Sequence, residues 1–408
     1  LFYVNDYYRH DEIIELAHQL IQIPSHPGVP HQEKDVAEFI YDYCGANGLE
    51  VQFQEVTGQR KNVLAFLRGS GTGNSLMLNG HLDTITPYRM TIDPFNEGVH
   101  SGYVWGRGAA DMKGGLASML ITLLAYKRAG ITPDGDIIFA GVIGEEGKSE
   151  GTECLINSGI RTDAAIVGEP SNYQYAIGHR GLEWFDVIFT GKASHSGSPD
   201  GGINAIEKAA EFIYRAKRDL YPKIRQREDE FMGVSLMNIG IIEGGLGQST
   251  VADSCTVKID RRYIPGETVQ SVMQEYQEIL DDMKEQDHQL HAEIRKSSAN
   301  DTILSHPPLV TPMTEPIVYA VRSSIREVIK REPQITRGRG WTDAALLKVY
   351  AKIPTVVFGP GDIRMSHTES ERIAIKDLIN TTEIYARIID NFCIKDKIME
   401  IENPPWEY

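Results

Sequence analysis

The stretch Ser75-Leu76-Met77-Leu78-Asn79-Gly80-His81-Leu82-Asp83 is an apolar run of strand length that passes through a glycine into an imidazole and a carboxylate. The pattern returns along the chain. Residues 136–142 lead into Gly144-Glu145-Glu146-Gly147, residues 164–167 into Gly168-Glu169-Pro170, and residues 355–358 lead on to Ser366-His367-Thr368. Residues 62–67 form a further short apolar run. Helical spacing fills the intervals. Residues 11–22 carry Ile13, Ile14, Leu16, Ala17, Leu20 and Ile21 close to helical spacing, residues 36–43 form a second helix, and residues 112–129 form a long one closed by Gly130 and a proline at 133. This alternation predicts an α/β domain with a mostly parallel sheet and helices on both faces. Ligands bind outside the carboxyl ends of strands in such sheets, so the side chains at these strand ends are expected to share one crevice.

From about residue 177 the texture changes. A strand at 182–190, a helix at 203–218, strands at 234–243 and 251–260 and a helix at 268–286 follow the order of a small α+β domain, a split βαβ or ferredoxin-like sandwich. Helix (315–330), strand (355–358) and helix (373–393) then return. The expected organisation is a discontinuous domain of residues 1–176 and 298–408, interrupted by a second domain of residues 177–297. A chain of 408 residues suits two domains, since single cores stop growing at roughly 250–300 residues.

The composition, 41% hydrophobic and 24% charged, is that of a folded protein. The net charge of −16 repels phosphate backbones, and no basic stretch with interleaved aromatics is read that would overcome it, so nucleic acid is excluded as an expected partner. Cys44, Cys154, Cys255 and Cys393 are scattered, which argues against a disulfide framework and against a cysteine-ligated zinc site. No run of about 18 apolar residues occurs, so no membrane association is expected, and the protein is read as cytoplasmic.

The strand-end residues suit metal chemistry. His81 can ligate a metal while Asp83 orients its ring, although such His-x-Asp pairs are also common in ordinary loops. Asp111 lies in Gly106-Arg107-Gly108-Ala109-Ala110-Asp111-Met112-Lys113-Gly114-Gly115, just before the long helix. It can cap that helix or bridge two metals, and four glycines exceed what a cap needs. Glu145 and Glu146 following a buried strand would repel one another unless cations or a proton neutralise one of them. Imidazole and carboxylate donors without thiolates suit zinc, and also cobalt or manganese. One Asp between two metals, each completed by a His and a Glu, makes a two-metal clamp with a separation of about 3.5–4 Å.

Taken in order, these blocks resemble the dinuclear zinc amidohydrolases and metallopeptidases that include acetylornithine deacetylase, succinyl-diaminopimelate desuccinylase, carboxypeptidase G and aminoacylase. The order and spacing agree over nearly the whole chain, and five blocks in register are far more specific than any one. The resemblance implies two zinc ions bridged by Asp111, with His81 and Glu169 completing one site and Glu146 and His367 the other. Glu145 would be the general base, taking a proton from the attacking water and returning it to the departing amine. The resemblance makes the inserted domain a lid and dimerisation domain, and the protein a homodimer. Gly191-Lys192-Ala193-Ser194-His195-Ser196-Gly197 matches the lid block whose histidine stabilises the oxyanion. Asp260-Arg261-Arg262 matches the segment whose arginine, by register Arg262, clamps the substrate carboxylate, which leaves Arg261 as a surface charge.

Some positions depart from the family pattern. Ser249, a substrate-binding candidate, stands where many members have Asn, and Ala252 where many have Pro. Trp341 precedes Thr342-Asp343 where members usually have a small residue, and is read either as part of the acyl pocket or as a packed loop aromatic. The expected activity is hydrolysis of an N-acyl amino acid to a free amino acid and a carboxylic acid. A di- or tripeptidase or a glutamate-releasing carboxypeptidase is the alternative within the same chemistry. A non-catalytic binding protein descended from such enzymes is the alternative outside it, and the intact set His81, Asp111, Glu145, Glu146, Glu169 and His367 argues against it.

Overall fold

The computed structural model describes residues 4–298, 302, 304–338 and 340–394. They fall into two compact units. The first runs to Ile177, resumes from Thr311 to Gly338 and again from Thr342; the second holds Gly178 to Val310 together with Trp341. The return to the first unit comes at Thr311, later than the predicted residue 298. Leu309–Val310 pairs antiparallel with Gly178–His179, and Leu182 N–H donates to the His306 carbonyl, which keeps this segment in the second unit.

The first unit is built on an eight-stranded sheet in the order Glu50–Thr57, Arg60–Leu67, Ile137–Val142, Leu76–His81, Ala164–Pro170, Thr355–Gly359, Tyr175–Ala176, Ile335–Thr336. The four middle strands, Ile137–Val142 through Thr355–Gly359, are parallel, and the two at the Glu50 edge are antiparallel. Each middle strand is buried at every residue. Helices cover both faces, as neighbours on one strand show. Successive side chains on a strand point to opposite faces. Lys61 pairs with Glu38 of helix Lys34–Ala46, while Asn62 donates to the Gly151 carbonyl of helix Glu150–Asn157.

Helix Gly114–Ala129 is buried from Gly114 to Tyr126, so its pattern is apolar nearly all round. Its polar groups at every fourth position, Ser118, Thr122 and Tyr126, donate to the Leu378, Thr382 and Ala386 carbonyls of helix Ile375–Cys393. It ends at Gly130 with φ +66°, as predicted. At its start Lys113 occupies the cap position, and Asp111 lies in the preceding turn Ala109–Lys113. Several strands end later than predicted, two of them at the site. Pairing of Leu76–His81 continues through Gly80↔Gly141 to His81↔Val142, and Ala164–Pro170 includes Glu169. Gly80 is therefore a strand residue, small because a Cβ there would stand 2.4 Å from the Met112 methyl.

The second unit is a four-stranded antiparallel sheet in the order Leu236–Gly244, Ser254–Tyr263, Gly181–Thr190, His291–Lys296. Helices Ala205–Arg215 and Val269–Gln286 pack on it through a core that includes Phe185, Val187, Phe189, Phe212 and Tyr276. Alternation along Ser254–Tyr263 turns Arg261 inward and Arg262 outward. Arg261 is accordingly not a surface charge: it is fully buried, 2.7 Å from Glu267 and 3.5 Å from Glu275. Arg262 takes both oxygens of Asp260, at 2.7 and 2.9 Å.

The helical run through Ala216–Leu220 and Tyr221–Arg225 does carry basic residues interleaved with tyrosines, contrary to the expectation of no such stretch. Lys217 lies 4.1 Å from the Tyr221 ring and Arg218 5.0 Å from that of Tyr214, while Arg215 and Arg218 pair with Glu211 and Asp219. Among the described residues no helix is long and apolar enough to cross a membrane. Arg261→Ala would remove a fully buried guanidinium and leave the half-buried Glu267 and Glu275 with Arg227 as their remaining cation, so urea denaturation should show a loss of about 1.5–3 kcal/mol. Arg262→Ala should stay within about 1 kcal/mol. Equal losses would contradict the inward and outward assignment.

Candidate metal centre

Parallel strands bring the first two groups together. His81 ends Leu76–His81 and Glu169 lies in the adjacent Ala164–Pro170, with His81 Nε2 3.7 Å from Glu169 Oε1. Asp111, joined to Met112 by a cis peptide bond, faces two imidazoles at once. Its Oδ1 is 3.0 Å from His81 Nε2 and its Oδ2 is 3.4 Å from His367 Nε2. His367 Nε2 also stands 2.8 Å from Glu146 Oε1. Glu145 joins His81 and Glu169 in a group whose ligand atoms all lie within 4.8 Å of one another, and His81, Asp111 and Glu146 form a second such group. All six residues expected at the strand ends and before the long helix thus form one cluster, in the first unit.

Asp83 acts through a different atom from the one expected. His81 Nδ1 donates to the Asp83 main-chain carbonyl at 2.8 Å, while the carboxylate oxygen is 3.7 Å away. The carboxylate instead accepts the backbone N–H groups of Glu145 (3.2 Å) and Glu146 (3.0 Å), which fixes the loop carrying both acids. With its proton on Nδ1, His81 presents Nε2 to the cluster, as a metal-ligating imidazole must.

The electrostatics follow from crowding acids in a space of low dielectric. Burial pushes Glu145 well above its ordinary range, and the Glu169 charge adds to this; burial and then Asp111 do the same for Glu169. Burial also raises Glu146, against the opposing bond from His367. Burial alone would lower His81, but Glu169, Asp111 and Asp83 outweigh it and hold the ring protonated. Glu146 and then Asp111 raise His367 likewise. Asp111 is lowered despite its burial, because His81 bonds to it. Glu169 Oε1 is buried and makes no hydrogen bond. An orphaned carboxylate oxygen beside two imidazoles and three further acids fits divalent cations, and the N and O donor set without thiolates suits zinc, cobalt or manganese.

The other expected site residues lie in the second unit. His195 and Ser249 come together there, since Ser196 N–H donates to the Ser249 carbonyl and His195 bridges to Thr250. Arg262 is on the outer face of the sheet. Trp341 is a packed aromatic, donating to the Pro307 carbonyl and standing edge-on to His306 at 4.3 Å.

Several buried polar residues around the cluster had no sequence assignment. Glu371 accepts the backbone N–H groups of Ala110 and Asp111 and pairs with Arg107; burial, then Asp111, pushes it up to about 7. Asp343 accepts from Thr152 at 2.6 Å and is pushed up to about 6 by burial. Lys113, lowered to about 7 by burial, donates to the Ile23 carbonyl. The only signals for them were position: Arg107 and Lys113 within the Asp111 motif, Glu371 just beyond His367, and Asp343 after Trp341.

Fold and donor set together define a metal-binding α/β protein with its site at the strand ends. The sequence matches Peptidase family M20/M25/M40 over residues 77–391, and the chain belongs to that family, which makes it a hydrolase. It is 29% identical over 416 residues to N-formyl-4-amino-5-aminomethyl-2-methylpyrimidine deformylase of Bacillus subtilis (strain 168), covering 95% of this chain and 96% of that one. It is 30% identical over 400 residues to acetylornithine deacetylase of Proteus mirabilis (strain HI4320), covering 94% and 97%. Its fold matches that of the Bacillus subtilis YXEP protein, a dinuclear metal binding peptidase of the M20 family, with TM-score 0.68, 16% identity and coverage of 93% and 97%.

Because burial and the neighbouring charges shift His81, His367, Glu145 and Glu169 towards their protonated forms, metal uptake should release protons. Calorimetric titration with zinc in two buffers of different ionisation enthalpy should give different apparent heats. Identical heats would contradict the protonated cluster.

Proposed function

We propose that this protein hydrolyses the amide bond of an N-acyl amino acid, releasing a free amino acid and a carboxylic acid, with two divalent cations, zinc by preference. The observation that carries this is Asp111, whose two oxygens face His81 and His367, each of those rings having a glutamate of its own, Glu169 and Glu146. Asp111 would thus be shared between two sites, His81 and Glu169 completing one and Glu146 and His367 the other. When bound, the cations supply Lewis acidity to a carbonyl and to water.

Glu145 stands beside the ligands without being needed as one, and would take the proton from the attacking water and deliver it to the leaving amine. His195 Nδ1 accepts the Gly197 N–H at 3.0 Å, which leaves the ring proton on Nε2 as a donor for the oxyanion. Arg262 would exchange Asp260 for the substrate carboxylate, with Ser249 beside His195 as a further contact. The substrate class draws support from the acetylornithine deacetylase relative.

The second unit would serve as lid and dimerisation domain. Among the described residues its edge strand Leu236–Gly244 has one neighbour, and Ile241, Ile242 and Leu246 are exposed along it and just beyond it, which supports a homodimer. Four unpaired thiols support a reducing, cytoplasmic setting.

A panel of formyl, acetyl, succinyl and aminoacyl derivatives of basic, acidic and apolar amino acids, assayed with zinc or cobalt, tests the proposal. Turnover of the acyl amino acids is expected, and no hydrolysis across the panel would reject it. Glu145→Ala should keep its metal and lose about 10²–10⁴-fold in kcat. His195→Ala should lose about 10²–10³-fold with metal content unchanged, and unaltered kinetics would remove it from the mechanism.

A further inference from the structure

Glu371 is fully buried, and both of its oxygens are engaged. One accepts the peptide N–H groups of Ala110 (3.0 Å) and Asp111 (3.1 Å). The other pairs with Arg107, itself buried, whose second nitrogen donates to the Thr368 carbonyl at 3.2 Å. This ion pair therefore joins the backbone of Asp111 to the backbone beside His367, two segments whose flanks also meet through the Gly106 N–H on the Glu371 carbonyl and the pairing of Arg372–Ala374 with Tyr103–Trp105. Buried ion pairs contribute little net stability, so their positional effect is the more informative one.

The two halves of the centre are not held alike. His81 is fixed without this pair, by strand pairing through His81↔Val142 and by its bond to the Asp83 carbonyl. His367 lies outside any strand, on a turn closed by the Ser366 N–H to the Ile363 carbonyl and the Thr368 N–H to the Met365 carbonyl. It is exposed, has φ +62°, and lies between the short helix Ile363–Met365 and the strand Arg372–Ala374. Among the described residues the ring pairs with Glu146 and Asp111, so its backbone position decides where Nε2 stands.

We infer that Glu371 and Arg107 are positioning residues that hold His367 in register with Asp111, so that the half of the centre completed by Glu146 and His367 can take its ion. This rests on the two-ion reading above. Removing the pair would turn a two-ion centre into one that fills a single site tightly.

The test is titration of chelator-stripped protein with cobalt, read by calorimetry and by the visible absorption of the bound ion. Wild-type protein should take two ions per chain. Glu371→Ala and Arg107→Met should keep the first affinity and weaken the second by about 10–100-fold, the usual range for groups that orient metal ligands. Glu371→Gln keeps an oxygen for the two N–H groups but offers Arg107 an amide, so a smaller loss at the second ion is expected. It also keeps the test open should Glu371→Ala fail to fold. Two ions bound by the variants as tightly as by wild type would overturn the clamp alone, as would equal weakening of both, which is what a merely structural role would give. Wild-type protein that takes fewer than two ions would overturn the two-ion reading and the clamp with it.

Discussion

Four carboxylates, those of Asp111, Glu145, Glu146 and Glu169, share a space largely closed to water, and their mutual repulsion is the constraint to which the surrounding structure answers. Two protonated imidazoles reply directly, one on each side of Asp111. Asp83 adds a fifth acid at the edge, and its charge is met by backbone N–H groups of the very loop that presents Glu145 and Glu146. Glu371 adds a sixth, and Arg107 meets it. The cluster is thus neutralised in layers, and divalent cations are the remaining charge that its donor atoms suit.

The sheet makes this crowding possible. The middle strands have a neighbour on each edge and are buried at every residue, so most of their backbone is paired within the sheet. Parallel neighbours end on the same side, which puts His81 and Glu169 together without a loop having to find them. The turn of Asp111 and the loop of His367 lie outside that ladder, with main-chain bonds holding their flanks, and the buried pair of Glu371 and Arg107 adds a side-chain link between them.

Most of the fold and the whole first-unit cluster could be read along the chain. Strand-length apolar runs, glycines at their ends and the helix closed by Gly130 depend on residues only a few positions apart, which a linear sequence displays. Two readings failed where parity or distance mattered, and two buried acids went unassigned. Arg261 and Arg262 differ by one position, and only the strand's alternation, continued past residue 260, says which is inside. Asp83 has the spacing of an orienting carboxylate, yet its carbonyl lies closer to His81 Nδ1 than its side chain does. Glu371 and Asp343 meet Asp111 and Thr152 across long stretches of chain, so no local pattern marks them.

By itself the sequence determined which donors exist and on which strand ends they stand, because strand length, helix period and residue chemistry are local properties. Tertiary structure alone decided that Asp111 faces two imidazoles at once, that Glu169 keeps an oxygen with no hydrogen bond, and that one ion pair links Asp111 to the His367 segment. Coulomb interactions and hydrogen bonds act over a few ångströms of space, whatever the separation along the chain, and that proximity exists only once the sheet has formed.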